Sequence, residues 1–367
     1  MSGDPGREVL GGPPGQVTRI RCVWRRVEDQ LVGWLGESGI ALPQPCGNRE
    51  VEVDESTGRS LQTRERVGKT HAGRAGRKKV VLPFLLPALT LYSVVFVYPA
   101  VQALWISLHE WNGFQAKMTY VGFGNFTRML SDETFWSALQ NTLLITVIGG
   151  LAIFLLVFFF SASLQRNIRG KKFFRAVIFF PVILPGVGVG LIWQFIYNNN
   201  WGPLSLGLRA AGLGFLDKVW LSPENIVSSL TVAIVWTFVG YYLIIVLAGI
   251  DKIPMTYFEA ARIDGASEWR IFRSVTIPMV WDVLIVAVVL WVISALKIFD
   301  IIIATTYPSP PRGSFTMTVF VWERAVGMYT PVFQLGYATA LGVVLLVLVL
   351  ISVAVIRAVS HREALEY

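Results

Sequence analysis

Charge is scarce in this sequence. Asp, Glu, Lys and Arg make up 15% of its 367 residues, against roughly 25% in an ordinary soluble domain. So few charges could not cover the surface of a water-soluble protein of this length, which excludes most soluble enzymes, and the apolar excess excludes a disordered chain. Cysteine is scarcer still: Cys22 and Cys46 are the only two, too few for a disulfide-stapled secreted scaffold and at a spacing that fits neither a zinc ribbon nor a redox pair. The three histidines, His71, His109 and His361, stand far apart and offer no metal cluster. No Gly-x-Ser-x-Gly elbow or zinc-protease helix motif occurs. Gly68-Lys69-Thr70 is spelled like the end of a phosphate-binding loop, but the first glycine of that motif would fall on Thr63. The reading is therefore no catalytic residue, no metal site and no cofactor.

What the chain has in abundance is apolar length. Hydrophobic residues reach 54% and mean hydropathy is +0.56, values that point to a polytopic membrane protein. The excess is uneven. Residues 1–78 are rich in Arg, Glu and Gly, with a turn cluster at Gly11-Gly12-Pro13-Pro14-Gly15. No run there approaches the roughly 20 residues that span a bilayer. Two readings stay open for this stretch: a weakly structured cytoplasmic extension, or a start codon assigned too early. From residue 79 to 358 six apolar runs follow, at about 80–108, 139–164, 176–197, 226–250, 277–296 and 333–356. Each is long enough to cross as a helix. The third carries Pro181, Pro185 and the small-residue string Gly186 to Gly190. Residues 359–367 form a short tail.

Lys and Arg placement gives the orientation. Arg74, Arg77, Lys78 and Lys79 precede the first run; Arg166, Arg169, Lys171, Lys172 and Arg175 crowd the link between the second and third. Lys252, Arg262, Arg270 and Arg273 lie between the fourth and fifth, and Arg357 and Arg362 follow the sixth. The opposite links hold only Lys117 and Arg128, then Arg209 and Lys218, then Lys297, Arg312 and Arg324. Both termini are thus expected in the cytoplasm. The net charge of +8 reads as topology and lipid contact rather than nucleic-acid binding, because no single basic face gathers it. Residues 125–141 read as an amphipathic stretch along the outer interface, with Trp136 in the aromatic belt. Lys297 and Asp300, three residues apart, are expected to share a helix side at the outer end of the fifth span. Ionisable residues deep within the spans are few, which argues against a self-powered secondary transporter. Trp193, Gln194, Tyr197, Trp236, Tyr241 and Tyr242 could serve a sugar, but helix packing accounts for aromatics in spans equally well, and no substrate site is assigned.

The segment 251–276, between the fourth and fifth spans, carries the most information. Phe258-Glu259-Ala260-Ala261-Arg262-Ile263-Asp264-Gly265-Ala266 continues through Trp269 and Phe272 to Pro278. It reads as helix, turn, helix: small residues at 260 and 261 that allow close approach of another protein, Gly265 at the break, a second helix over 266–274, and Pro278 opening the fifth span. This segment resembles the Glu-Ala-Ala coupling loop of permeases of binding-protein-dependent ABC importers. The residues meeting that pattern are Glu259, Ala260, Ala261, Asp264, Gly265, Ala266, Phe272 and Pro278. Further likeness to sugar-importing members lies in Val121 to Phe126, Phe135 to Thr142, Phe299 to Ile302 and Thr316 to Ala325; the sequence departs from them at Tyr307 to Arg312.

The resemblance implies an all-α, six-span type I importer permease (MetI-like) fold in the plasma membrane of a prokaryote. It implies a second permease subunit sharing the path, a cytoplasmic ABC ATPase dimer that binds the ATP, and an extracytoplasmic solute-binding protein. Glu259 would meet a basic residue of the ATPase, Gly265 would set the turn, and Ala260, Ala261 and Ala266 would enter its cleft. The branch implied is carbohydrate uptake (an oligosaccharide, a disaccharide or glycerol-phosphate). A permease for another solute such as a polyamine or phosphonate, or a membrane scaffold without transport, are the alternatives.

Overall fold

The computed structural model describes residues 85–360, apart from 166–168, 309 and 329. The stretch 1–78, its boundary at 79, both cysteines, His71, His361, Arg166 and the tail lie outside the described residues. The first helix, α1 (Leu85–Ser107), buries none of its apolar side chains; of its residues only Ser107 is enclosed. A two-residue ladder follows, β1 (His109–Glu110) against β2 (Thr119–Tyr120), antiparallel with His109 opposite Tyr120. The short helix α2 (Gly124–Leu130) leads to α3 (Glu133–Gln165). Asp132 caps α3, accepting the Thr134 N–H at 2.9 Å, and so satisfies one of the unpaired amides every helix start exposes. The stretch read as one interfacial helix over 125–141 is therefore two pieces, and the second is the opening of the membrane span itself.

The third span is broken. Helix α4 (Lys171–Ile183) and helix α5 (Gly186–Ile196) meet at 99°. Pro185 is the cause: it drives the preceding Leu184 into extended backbone (φ −71°, ψ 140°), as the proline ring requires of its neighbour. Pro181, inside α4, does not break it. Lys171, Lys172 and Arg175 belong to α4 rather than to a loop. Helix α6 (Pro203–Ala210) lies after the turn at Trp201-Gly202, whose Gly202 N–H reaches Asn198 O at 2.8 Å.

Helix α7 (Ile226–Ile250) is the centre of the bundle and matches the expected fourth span residue for residue. It is apolar on every side, as a helix surrounded by others must be, and packs against α3 and α4. Helices α8 (Met255–Ile263) and α9 (Glu268–Met279) follow, then α10 (Trp281–Ala295), bent 73° from α9. The fifth span thus opens at Trp281, and Pro278 closes the helix before it. The backbone over Phe272–Thr276 is wound with i→i+5 bonds, and a wide turn followed by a proline is a recognised source of kinks. Helix α11 (Asp300–Thr306) begins after a break, so Lys297 and Asp300 do not share a helix face. Helices α12 (Met317–Ala325) and α13 (Leu335–Val359) complete the described chain. Among the described residues four helices are long and apolar enough to cross a membrane, and counting each bent pair as one span gives six.

Two close contacts hold the broken spans. Helix α5 packs tightly on α11: at Gly190 a β-carbon would collide with Ala304, and Ile301 O and Thr305 N lie within 3.0 Å of its position. Trp291 of α10 donates its indole N–H to Thr146 O of α3 at 2.8 Å, beside an i→i+5 turn over Ile145–Gly149. At the far end, Asp132 Oδ2 accepts from Tyr337 O–H at 3.0 Å and lies 3.5 Å from Arg324. Arg128 stacks over the Tyr337 ring at 4.7 Å and donates to Gln334 at 3.0 Å.

Candidate functional site

The segment singled out in the sequence stands at the end of the bundle opposite that charged cluster. Ile253 and Phe258 are buried and anchor α8, while Glu259 and Ala260 on the same helix are exposed and Ala261 is half-buried. The helix ends in a hydrogen-bonded reversal. Asp264 N–H reaches Ala260 O, Gly265 N–H reaches Arg262 O, and Ala266 N–H reaches Ala261 O, each at 3.0 Å. Gly265 adopts φ +74°, and nothing lies within 4 Å of where a β-carbon would stand. The requirement for glycine there is purely conformational.

Ser267 then caps α9 by accepting the Arg270 N–H at 3.4 Å. Glu268 sits in the first turn, where the helix dipole favours an anion, and lies 3.4 Å from Arg262. That pair is exposed and adds little stability. Firmer links hold the segment to the bundle. Ile271 and Phe272 are buried; Phe272 stacks on Trp269 at 5.9 Å and meets Phe158 of α3 edge-on at 6.5 Å. Thr276 and Gln165 share a hydrogen bond at 3.3 Å, whereas the exposed pair of Arg175 and Asp251 at 3.5 Å adds as little as that of Arg262.

The expected set therefore divides. Glu259, Ala260, Asp264 and Gly265 are exposed, with Ala261 and Ala266 half-covered beneath them. Phe272 is 3% exposed and faces the bundle; Pro278 is half-buried before the bend. Two residues outside the set join the exposed surface: Ile263 is 86% and Trp269 65% exposed. An apolar residue following Glu-Ala-Ala-Arg, in a helix otherwise amphipathic, is the signal that would have marked Ile263. The arrangement is a small-residue ridge with two carboxylates, Glu259 and Asp264, mounted where the end of α3 meets α9.

The six aromatic and amide residues weighed for sugar binding are mostly packed. Tyr242 is buried between Phe154 and Trp291, at 5.7 and 5.9 Å between ring centres. Tyr197 donates its hydroxyl to Ser229 O at 2.8 Å, and Trp193 lies between Tyr197 and Trp236 at 5.0 and 5.7 Å. No group of three metal-ligating side chains occurs among the described residues.

A bundle of broken spans carrying an exposed mount of this kind is a membrane-embedded transport component. The chain belongs to the family described as binding-protein-dependent transport system inner membrane component, which matches residues 159–364. It is similar to the diacetylchitobiose uptake system permease protein NgcF of Streptomyces coelicolor, 33% identical over 307 residues that cover 79% of this chain and 86% of that one. It is also similar to the trehalose/maltose transport system permease protein MalF of Thermococcus litoralis, 30% identical over 267 residues covering 72% and 88%. The fold is shared with a bacterial ABC transporter involved in the import of the acidic polysaccharide alginate, at a TM-score of 0.67, 20% identity, and coverage of 79% of this chain and 98% of that one.

Proposed function

We propose that this chain is the permease subunit of an ATP-driven importer for a sugar (an oligosaccharide, a disaccharide or glycerol-phosphate), coupled to a separate ATPase through Glu259 to Ala266. The observation that carries the coupling role is the contrast within one short segment: Ile253, Phe258, Ile271 and Phe272 are buried, while Glu259, Ala260 and Gly265 are exposed. Such a ridge is fixed enough to transmit rigid-body motion and bare enough to be gripped. Motion of the gripping partner passes along α9 into α10 across the 73° bend, and along α3 through Phe158 and Gln165. This is alternating access driven by a partner that binds two states unequally.

The sugar reading is supported by relatives named for diacetylchitobiose, for trehalose and maltose, and for alpha-glucosides. A second permease, a cytoplasmic ATPase dimer and an extracytoplasmic solute-binding protein complete the proposed assembly, in the inner membrane with both termini cytoplasmic. ATP belongs to the ATPase, and this chain performs no chemistry.

The test is uptake. Deletion of the chain should abolish entry of one sugar among labelled diacetylchitobiose, maltose and trehalose, and leave spermidine and a phosphonate unaffected. Glu259→Arg and Gly265→Pro should each lower uptake more than tenfold with unchanged amounts of chain in the membrane. Wild-type uptake in both variants would defeat the coupling role; loss of spermidine entry alone would defeat the sugar reading.

A further inference from the structure

Beyond α5, at the end of the bundle away from the coupling segment, the residues Asn198-Asn199-Asn200-Trp201 enclose a cavity of about 430 Å³ together with Gln194, Phe195 and Leu221. Its volume lies within the ~300–1,000 Å³ typical of small-molecule sites. We propose that this cavity is a carbohydrate subsite of the permease itself, with Gln194, Asn199 and Asn200 as hydrogen-bonding groups and Trp201 as the stacking face; it rests on the sugar reading above.

The site is built rather than incidental. Asn198 Oδ1 accepts the N–H groups of Asn200 and Trp201 at 3.0 and 3.2 Å, which fixes the turn. Asn199 Nδ2 donates to Lys218 O at 2.6 Å, and Arg209 donates to Asn199 O at 3.1 Å. Gln194 donates its amide to Tyr307 O. The Asn199 and Gln194 ties each use the nitrogen of a side-chain amide and leave its oxygen. Among the described residues the Gln194 and Asn199 side-chain oxygens, the whole Asn200 amide and the Trp201 indole N–H take no protein partner. An amide offers both donor and acceptor, as a pair of neighbouring sugar hydroxyls needs. Trp201 is 54% exposed and its ring meets that of Phe195 at 5.0 Å, tilted by 52°, so it keeps aromatic surface accessible to the C–H side of a sugar ring.

The lining also says what does not bind. It holds no Asp, Glu, Lys or Arg, and the nearby Arg209 is neutralised by Asp217 at 2.6 Å. A polyamine would need carboxylates and a phosphonate would need cations; neutral amides beside an indole suit an uncharged polyol. The cavity and the coupling segment sit at opposite ends of α7, whose 25 residues extend about 37 Å, so sugar would meet this cup at the far end from the ATPase.

Saturation-transfer NMR on the assembled membrane complex, without binding protein, tests the subsite using maltose, trehalose and diacetylchitobiose as probes. The wild type should transfer saturation to the sugar it imports and none to spermidine. Trp201→Ala and Asn200→Ala should each reduce the transfer at least fivefold, while Trp201→Phe, which keeps an aromatic face and the fold, should retain most of it. Full transfer in both alanine variants, or no transfer in a wild type that imports sugar, overturns the subsite and leaves the transport reading intact. A wild type that imports none of the three sugars overturns both.

Discussion

Trp291 is the residue on which three helices converge. It is 1% exposed, donates to Thr146 O on α3, and meets Phe238 and Tyr242 of α7 edge-on at 6.2 and 5.9 Å. Replacing it separates two contributions. Trp291→Phe keeps most of the packing but loses the hydrogen bond, and should cost about 1 kcal/mol; Trp291→Ala should cost about 3–5 kcal/mol. Thermal unfolding of the detergent-solubilised protein measures both, and a Trp291→Phe variant as stable as the wild type would mean that the indole N–H contributes nothing. The sequence places Trp291 in a span but cannot pair it with Thr146, which is 145 positions away. Asp132 is invisible in the same way: its links to Tyr337 and Arg324 join distant segments whose only common property is that folding brings them together. Gly265, by contrast, is legible, because its role depends on its own backbone and not on a distant partner.

At the scale of elements, hydropathy finds where a helix is buried but not where it bends. The fourth span is read to the residue because α7 is uninterrupted. Nothing in the hydropathy of the third and fifth runs gives the 99° angle between α4 and α5 or the 73° angle between α9 and α10. Pro181 and Pro185 look alike in the sequence; only Pro185 breaks the helix, since its neighbour Leu184 is extended. The turn of the segment 251–279 is legible because its signals, the glycine at 265 and the small residues before it, are local; the Ser267 cap at the start of α9 is not among them. Its second helix nonetheless runs to Met279, beyond the expected 274, since the buried Phe272 and Thr276 carry it onto the bundle. The cap gives a direct check. Ser267→Ala should destabilise the start of α9 by about 1 kcal/mol, seen as faster amide exchange over residues 268–271 with slow exchange retained in α7. Unchanged exchange would show that packing of Ile271 and Phe272, rather than the cap, holds the helix start.

Across the whole molecule, the two ends differ in how many basic residues they hold. At the coupling end stand Arg169, Lys171, Lys172, Arg175, Lys252, Arg262, Arg270, Arg273 and Arg357. At the other end, Arg209 and Arg324 are paired with Asp217 and Asp132, and Arg128 is stacked on Tyr337. Pairing occurs at both ends, since Arg175 and Arg262 also reach Asp251 and Glu268; the number of Lys and Arg residues, not their pairing, is what bears on orientation. With Cys22 and Cys46 replaced by serine, Arg273→Cys should react with a membrane-impermeant maleimide only in inside-out vesicles, and Phe215→Cys only in intact cells whose outer barrier is permeabilised. The reverse pattern would invert the proposed topology.

The bareness of α1 bears on how the protein is made. Among the described residues this helix contributes no apolar side chain to an enclosed interior, so its apolar faces are left for lipid or for the second permease of the proposed assembly. Its place along α13 is then taken by lateral association within the bilayer, a step that moves no polar group across the membrane. A chain severed in the loop after Tyr120 could in principle be inserted as two polypeptides and still assemble, which is an order of events that a helix locked into the core, such as α7, does not permit.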